Sequence, residues 1–290
     1  MDKRTITQLL FSIGTNANIK GFLEGKIYTG KTKSLCVPGL NCYSCPGALG
    51  SCPIGSLQAV IGSIKYKFSF YVIGFISLMG VLFGRLICGW LCPFGFIQDL
   101  LHKIPTKKVK IIKGDKILRY LKYVILALFV ILLPLVLADE LGISDPYFCK
   151  FICPVGTLEG GIPLVLTNPA LRSTIGFLYA WKMILLLITI LAAILIYRPF
   201  CKYICPLGAI YSVFNPISFY KLKVNTNACN KCGKCSKVCE MNVNVYEKPN
   251  SLECIRCNKC KKACPQGAIR SSFSFKDQKG DSCSDEVTIK

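Results

Sequence analysis

Residues 229–240, CNKCGKCSKVCE, and residues 254–265, CIRCNKCKKACP, repeat one spacing of four cysteines, C-x2-C-x2-C-x3-C. That spacing is the ligand code of a pair of 4Fe-4S clusters, in which the fourth thiolate of each run crosses to the other cluster. It predicts Cys229, Cys232, Cys235 and Cys264 around one cluster, and Cys254, Cys257, Cys260 and Cys239 around the second. Pro265 follows the last cysteine in the usual way, whereas Glu240 replaces the proline after Cys239, so the turn there is expected to differ. Paired cysteines also serve tetrahedral zinc, but two complete runs of four favour clusters.

The rest of the chain sets this module in an apolar context. Of 290 residues 52% are hydrophobic, and the mean hydropathy is +0.46, too apolar for an ordinary soluble domain. The 19 cysteines recur in close motif pairs at an odd count, which suits metal ligation and not a disulfide framework. The stretch after Lys3 and Arg4 has no small-residue cleavage site, so no cleavable signal peptide is expected. A formal charge of +21 raises nucleic acid as a ligand. Cytoplasmic loops of a membrane protein explain it more simply, and no nucleic-acid partner is expected.

Three stretches read as spans, about 68–87, 120–138 with a kink at Pro134, and 175–197, each near the ~20 residues that cross a bilayer. Residues 5–23 are a further span or an interfacial helix, and the uncharged run 47–64 suits a re-entrant segment. The fold class expected is mainly α: a membrane helix bundle of about four spans over residues 1–222, then a small α+β bacterial-type two-cluster ferredoxin domain over 223–270, then a disordered tail over 271–290 that contains Cys283. Loop charge sets the orientation. Residues 88–118 carry six Lys against Asp99 and Asp115, and residues 139–171 carry four acids against Lys150. The first loop and the ferredoxin domain are expected in the cytoplasm and the second loop outside, although residues 24–67, external on this scheme, hold five Lys against Glu24.

A second cysteine code recurs outside the module: Cys52-Pro-Ile-Gly, Cys92-Pro-Phe-Gly, Cys153-Pro-Val-Gly and Cys205-Pro-Leu-Gly. Three copies carry another cysteine four residues earlier, Cys88, Cys149 and Cys201, whereas the first has Ala48 there, with Cys45, Cys42 and Cys36 further upstream. Arg85 and Arg198 stand at the same offset before Cys88 and Cys201, which suggests a duplicated helix plus motif. Proline at the first helical position puts each preceding thiol at a helix N-terminus, where the dipole favours thiolate. Cys88, Cys92, Cys201 and Cys205 together supply a further four-thiol redox or cluster site. Cys42, Cys45, Cys52, Cys149 and Cys153 form an external set, and the competing reading of both groups is buried structural thiols. Arg85, Arg198 and Lys182 are expected to snorkel to head groups, with cluster or quinone roles as alternatives. His102 is the only histidine, so bis-histidine haem is not expected, and no G-x-G-x-x-G motif indicates NAD.

The motifs GRLICGWLCPFG, DPYFCKFICPVG and RPFCKYICPLG, joined to the ferredoxin cysteines, resemble the NapH and NosR type of membrane polyferredoxin from about Gly39 to Arg270. The resemblance implies a bacterial or archaeal cytoplasmic-membrane electron-transfer component with both termini inside, of the kind associated with menaquinol oxidation and periplasmic reductases. The chain departs from that pattern in its segment CVPGLNCYSCPGALGSCPIG, and no flavin domain of the NosR kind is expected, so the physiological acceptor of that family is not carried over. The expected function is electron transfer between a cytoplasmic ferredoxin- or flavodoxin-like donor and a quinone or partner oxidoreductase, as one component of an oxidoreductase system. The alternatives are a metal- or thiol-reducing maturation factor and a redox sensor.

Overall fold

The computed structural model describes residues 2–63, 69–110, 114–138, 144–173 and 175–273; Cys283 and the rest of the expected tail from 274 lie outside them. Apolar side chains dominate two long helices, Asp115–Val136 and Phe177–Leu195, of 22 and 19 residues. Among the described residues these two are long and apolar enough to cross a membrane. Leu128, Ile131, Leu132 and Leu135 on the first, and Ile184, Leu187, Ile188 and Leu191 on the second, are exposed. A soluble core helix would bury them, so these faces are suited to lipid. The first helix widens into a π-turn over Leu126–Leu132 just before Pro134. Proline lacks an N–H and its ring crowds the carbonyl four residues back, which interrupts the regular ladder where the sequence predicts a kink.

The other expected spans are shorter. The span placed at 68–87 is the 14-residue helix Phe70–Phe83, ended by Gly84 at φ +51°, where a Cβ would lie 2.7 Å from Asn215 Oδ1. The N-terminal stretch breaks into Lys3–Thr15 and Ile19–Glu24. Arg4 and Gln8 are buried in the first of these and bond Asp99, which ties this helix to protein. Residues 47–64 contribute the ten-residue helix Pro53–Gly62.

Each C-P-φ-G copy opens a helix with cysteine as N-cap: Pro53–Gly62, Pro93–His102, Pro154–Gly156 and Pro206–Phe214. The C-x3-C pairs share one further feature. The amides of Cys92, Cys153 and Cys205 bond the carbonyls five residues back, Ile87 (3.1 Å), Phe148 (2.9 Å) and Phe200 (2.9 Å). A short turn therefore ends in the same wide loop three times, and presents both sulfurs of each pair next to a helix start. The eight-cysteine segment is framed by an antiparallel pair of strands, Tyr220–Val224 and Ile269–Phe273, in the register Tyr220↔Phe273 to Val224↔Ile269. This frame reaches a little beyond the expected 223–270 at both ends. Between the strands lie two short helices, Lys234–Val238 and Lys259–Ala263.

Candidate metal centres

In the strand-framed module, Cys229, Cys232, Cys235 and Cys264 line one cavity of about 20 Å³, and Cys239, Cys254, Cys257 and Cys260 line a second of about 20 Å³. The fourth cysteine of each run thus lines one cavity with the first three of the other run. Lys231 and Arg256, and then Gly233 and Asn258, adopt positive φ at matching positions of the two loops. Left-handed residues alternating with ordinary ones turn successive amides to one side, a concavity suited to an anion. Among the described residues no three Cys, His, Asp or Glu side chains close on one point as a single metal ion would need. Each cavity offers four sulfurs, the donor set of one 4Fe-4S cluster. Burial, with the neighbouring thiols, pushes Cys254 up to about 11 and Cys260 up to about 12. These two free thiols are therefore protonated at neutral pH, and metal loading must release their protons.

A further set, called here the proximal cage, joins two distant parts of the chain. Cys88, Cys92, Cys201 and Cys205 are all buried. The amides of Gly95 and Gly208 donate to the sulfurs of Cys92 (3.4 Å) and Cys205 (3.3 Å), the helix N-terminal geometry expected of Cys-Pro. Gln98 Nε2 donates to Cys201 Sγ at 3.1 Å while its Oε1 accepts from the Phe200 amide at 3.2 Å, so one side chain staples the two cysteine pairs together. The sequence reading missed Gln98, although it stands six residues after Cys92.

The arginines correct an expectation. Arg85 and Arg198 do not snorkel; both are fully buried. They cross over: Arg85 Nη2 donates to the Cys201 carbonyl at 3.1 Å, and Arg198 Nη1 donates to the Cys88 carbonyl. Asp99 takes Arg198 in a two-point pair (2.7 and 2.5 Å). Burial would raise the Asp99 carboxyl, but Arg198 and Arg4 outweigh it and hold the group below its usual range. Lys182 likewise does not reach outward; its Nζ donates to the Cys149 carbonyl at 2.9 Å. A carbonyl facing a buried cation is satisfied without water, which explains why these groups turn inward.

Arg85 also connects the proximal cage to the ferredoxin-like module. Its Nη1 bonds Glu253 (2.8 Å) and the Leu252 carbonyl (2.9 Å), immediately before Cys254. Glu253 also takes Lys122 at 2.5 Å. Burial would raise the Glu253 carboxyl, but Arg85 and Lys122 hold it low. Asn215 Nδ2 donates to the carbonyls of Ser251 (2.7 Å) and Cys254 (2.9 Å), and Trp90 Nε1 donates to that of Arg256 (3.1 Å). Gly89, next to Cys88, approaches this loop so closely that a Cβ would stand 2.3 Å from the Ile255 carbonyl oxygen. Arg256 is wholly buried on the cavity of Cys239, Cys254, Cys257 and Cys260. It donates to the carbonyls of Phe83 (2.9 Å) and Asn215 (2.6 Å), and burial pushes it down to about 10. A cation held there is suited to balance the negative charge of ligated thiolates.

Of the expected external set, Cys42, Cys52, Cys149 and Cys153 line a third cavity, of about 350 Å³. Cys45 does not; it is buried elsewhere, with its sulfur 3.5 Å from Asn16 Oδ1. Every cysteine among the described residues is free of disulfide bonding.

Donor chemistry, crossed cysteine sets and the shared loops define an iron–sulfur protein of ferredoxin type. Residues 68–112, 123–162 and 178–225 match one 4Fe-4S binding domain family, and residues 248–270 match a second family of the same description. Two uncharacterised proteins of Methanocaldococcus jannaschii are 33% and 31% identical to the chain. The first covers 69% of this chain and 77% of its own length, the second 76% and 75%. The ferredoxin-type protein NapH of Haemophilus influenzae is 27% identical over 55% of this chain and 48% of its own. No solved structure matches the chain. The chain belongs to the family of ferredoxin-type 4Fe-4S polyferredoxins.

Proposed function

We propose that the chain is a membrane-bound electron carrier. It passes electrons between a cytoplasmic ferredoxin- or flavodoxin-like donor and a quinone or partner oxidoreductase, through two clusters in the strand-framed module and one in the proximal cage. The observation that carries the reading is the seam at Arg85. A single guanidinium bonds both the Cys201 backbone of the proximal cage and Glu253 beside Cys254. Two cysteine sets that could have been separate sites are thus held in fixed contact.

In this reading the clusters supply one-electron chemistry, and the chain's own groups set its order. Cys232 is exposed, so the set it belongs to is the entry point for a soluble donor. Cys254 and Cys260 are buried, and the loop between them meets Gly89 at the Ile255 carbonyl and Trp90 at the Arg256 carbonyl, so the second set faces inward. Gln98, Gly95 and Gly208 direct N–H groups at the proximal sulfurs, where hydrogen bonds raise the reduction potential. The helices Asp115–Val136 and Phe177–Leu195 anchor the assembly in the cytoplasmic membrane, with the ferredoxin-like module on the Lys-rich side.

Mössbauer spectroscopy and iron assay of anaerobically purified protein test the proximal assignment. Cys88→Ser/Cys201→Ser should lose about four irons per chain by the four-thiolate rule and keep both module clusters. Unchanged iron would refute it.

A further inference from the structure

The distal cavity repeats the proximal cage in detail. Gln98 follows Cys92 by six residues, and Gln58 follows Cys52 by the same six. Gln58 Nε2 donates to Cys149 Sγ at 3.3 Å and its Oε1 accepts from the Phe148 amide at 3.0 Å. Gln98 makes that pair of bonds to Cys201 and Phe200. Cys52, Cys149 and Cys153 therefore occupy the places of Cys92, Cys201 and Cys205. The cation is reproduced too, because Lys182 serves the Cys149 carbonyl as Arg85 serves that of Cys201.

One position breaks the repeat. Where Cys88 stands four residues before Cys92, Ala48 stands four before Cys52. Cys42 fills the gap from the preceding loop. Its amide donates to Glu159 Oε2 at 2.7 Å, and Glu159 lies six residues after Cys153, the same offset as the two glutamines. Its sulfur lies beside Gly156, 3.6 Å from where a Cβ would stand, on the helix that Cys153 caps.

We propose that Cys42, Cys52, Cys149 and Cys153 are the ligands of an additional 4Fe-4S cluster, the fourth in the chain. This rests on the reading that the paired C-x3-C-P cysteines hold clusters, and it extends that reading to a set whose fourth member lies outside the repeat. Cys36 and Cys45 are not ligands. Tyr211 is fully buried between the two cages, with its hydroxyl donating to the Pro38 carbonyl at 3.0 Å. The distal cavity is the widest of the three, with Tyr43, Ser56 and Ser144 on its walls, so this site leaves room for solvent beside the sulfurs.

Iron, acid-labile sulfide and zinc are measured on the full chain purified without oxygen, together with EPR redox titration. Wild type should carry about sixteen irons per chain by the four-iron rule. Cys149→Ser/Cys153→Ser, and separately Cys42→Ser, should each lose about four irons and four sulfides, and Cys45→Ser should lose none. Gln58→Leu should keep all the iron and shift the potential of one cluster. Retention of full iron in the Cys149/Cys153 variant, stoichiometric zinc in wild type that this variant lacks, or loss on Cys45→Ser overturns the assignment. If the double variant does not fold, the Gln58→Leu titration decides: unchanged potentials for every cluster overturn the proposal. The parallel Cys88→Ser/Cys201→Ser count reports on the proximal cage by itself, so failure of that reading is separately visible.

Discussion

Replacing Glu253 with glutamine tests the seam between module and membrane part. The carboxylate is nearly buried and faces two cations, Arg85 at 2.8 Å and Lys122 at 2.5 Å, whose side chains are 0% exposed. Glutamine keeps the shape and one acceptor oxygen but removes the charge that balances both. Breaking a buried pair costs ~3–5 kcal/mol, and we take about 3 kcal/mol because the amide oxygen still accepts a hydrogen bond. At 1.4 kcal/mol per tenfold, local opening of the loop before Cys254 should become about 100-fold more frequent. Hydrogen exchange of the 251–257 peptide reads this directly, because the Cys254 amide is bonded to the Ser251 carbonyl at 3.0 Å. Glu247→Gln, at an exposed position, is the control and should leave exchange unchanged. A change below about threefold in Glu253→Gln would show that the seam does not depend on this charge, against the cost assigned to a buried pair.

Gly89→Ala should separate module from cage, because its Cβ would stand 2.3 Å from the Ile255 carbonyl oxygen; reduction of the proximal cluster by a module-specific donor should slow at least tenfold, by the ~1.4 kcal/mol scale of a modest clash, whereas Gly74→Ala, with open space around it, should not slow it. Gln98→Leu removes the N–H to Cys201 Sγ and should lower the potential of one cluster by about 40 mV, the one-electron equivalent of ~1 kcal/mol per hydrogen bond, as read by EPR titration. Limited oxidation by ferricyanide should degrade first the cluster of the set containing exposed Cys232, seen by EPR as loss of one module signal before the other.

The clearest part of the sequence was the module, because its ligand spacing is local and each loop of three cysteines closes on itself. The long helices were equally readable from apolar runs. The span ends were not: Phe70–Phe83 stops at Gly84, which takes positive φ and leaves no room for a Cβ beside Asn215, a residue far along the chain. The buried arginines were misread for a related reason. A guanidinium at the end of an apolar stretch reads as lipid-facing until its carboxylate is located, and Asp99 and Glu253 come from other segments. The two matching C-x3-C-P copies already grouped Cys88, Cys92, Cys201 and Cys205, whereas the external set held five cysteines until the fold set Cys45 apart from the cavity of the other four. Gln58 and Gln98 did leave a signal, Cys-Pro-φ-Gly-x-x-Gln in two copies, whereas nothing in the sequence distinguishes Cys42 from Cys45, which stands three residues later.

The relay from module to cage is tested most directly by electron transfer to a quinone in a vesicle membrane. Protein is reconstituted in proteoliposomes that carry a lipid-soluble quinone as acceptor, and a reduced low-potential donor that cannot enter the bilayer is added outside. The account predicts acceptor reduction by wild type and its loss in Cys88→Ser/Cys201→Ser with both module clusters still reducible. Equal rates in the two proteins, or no transfer by fully loaded wild type, would contradict it.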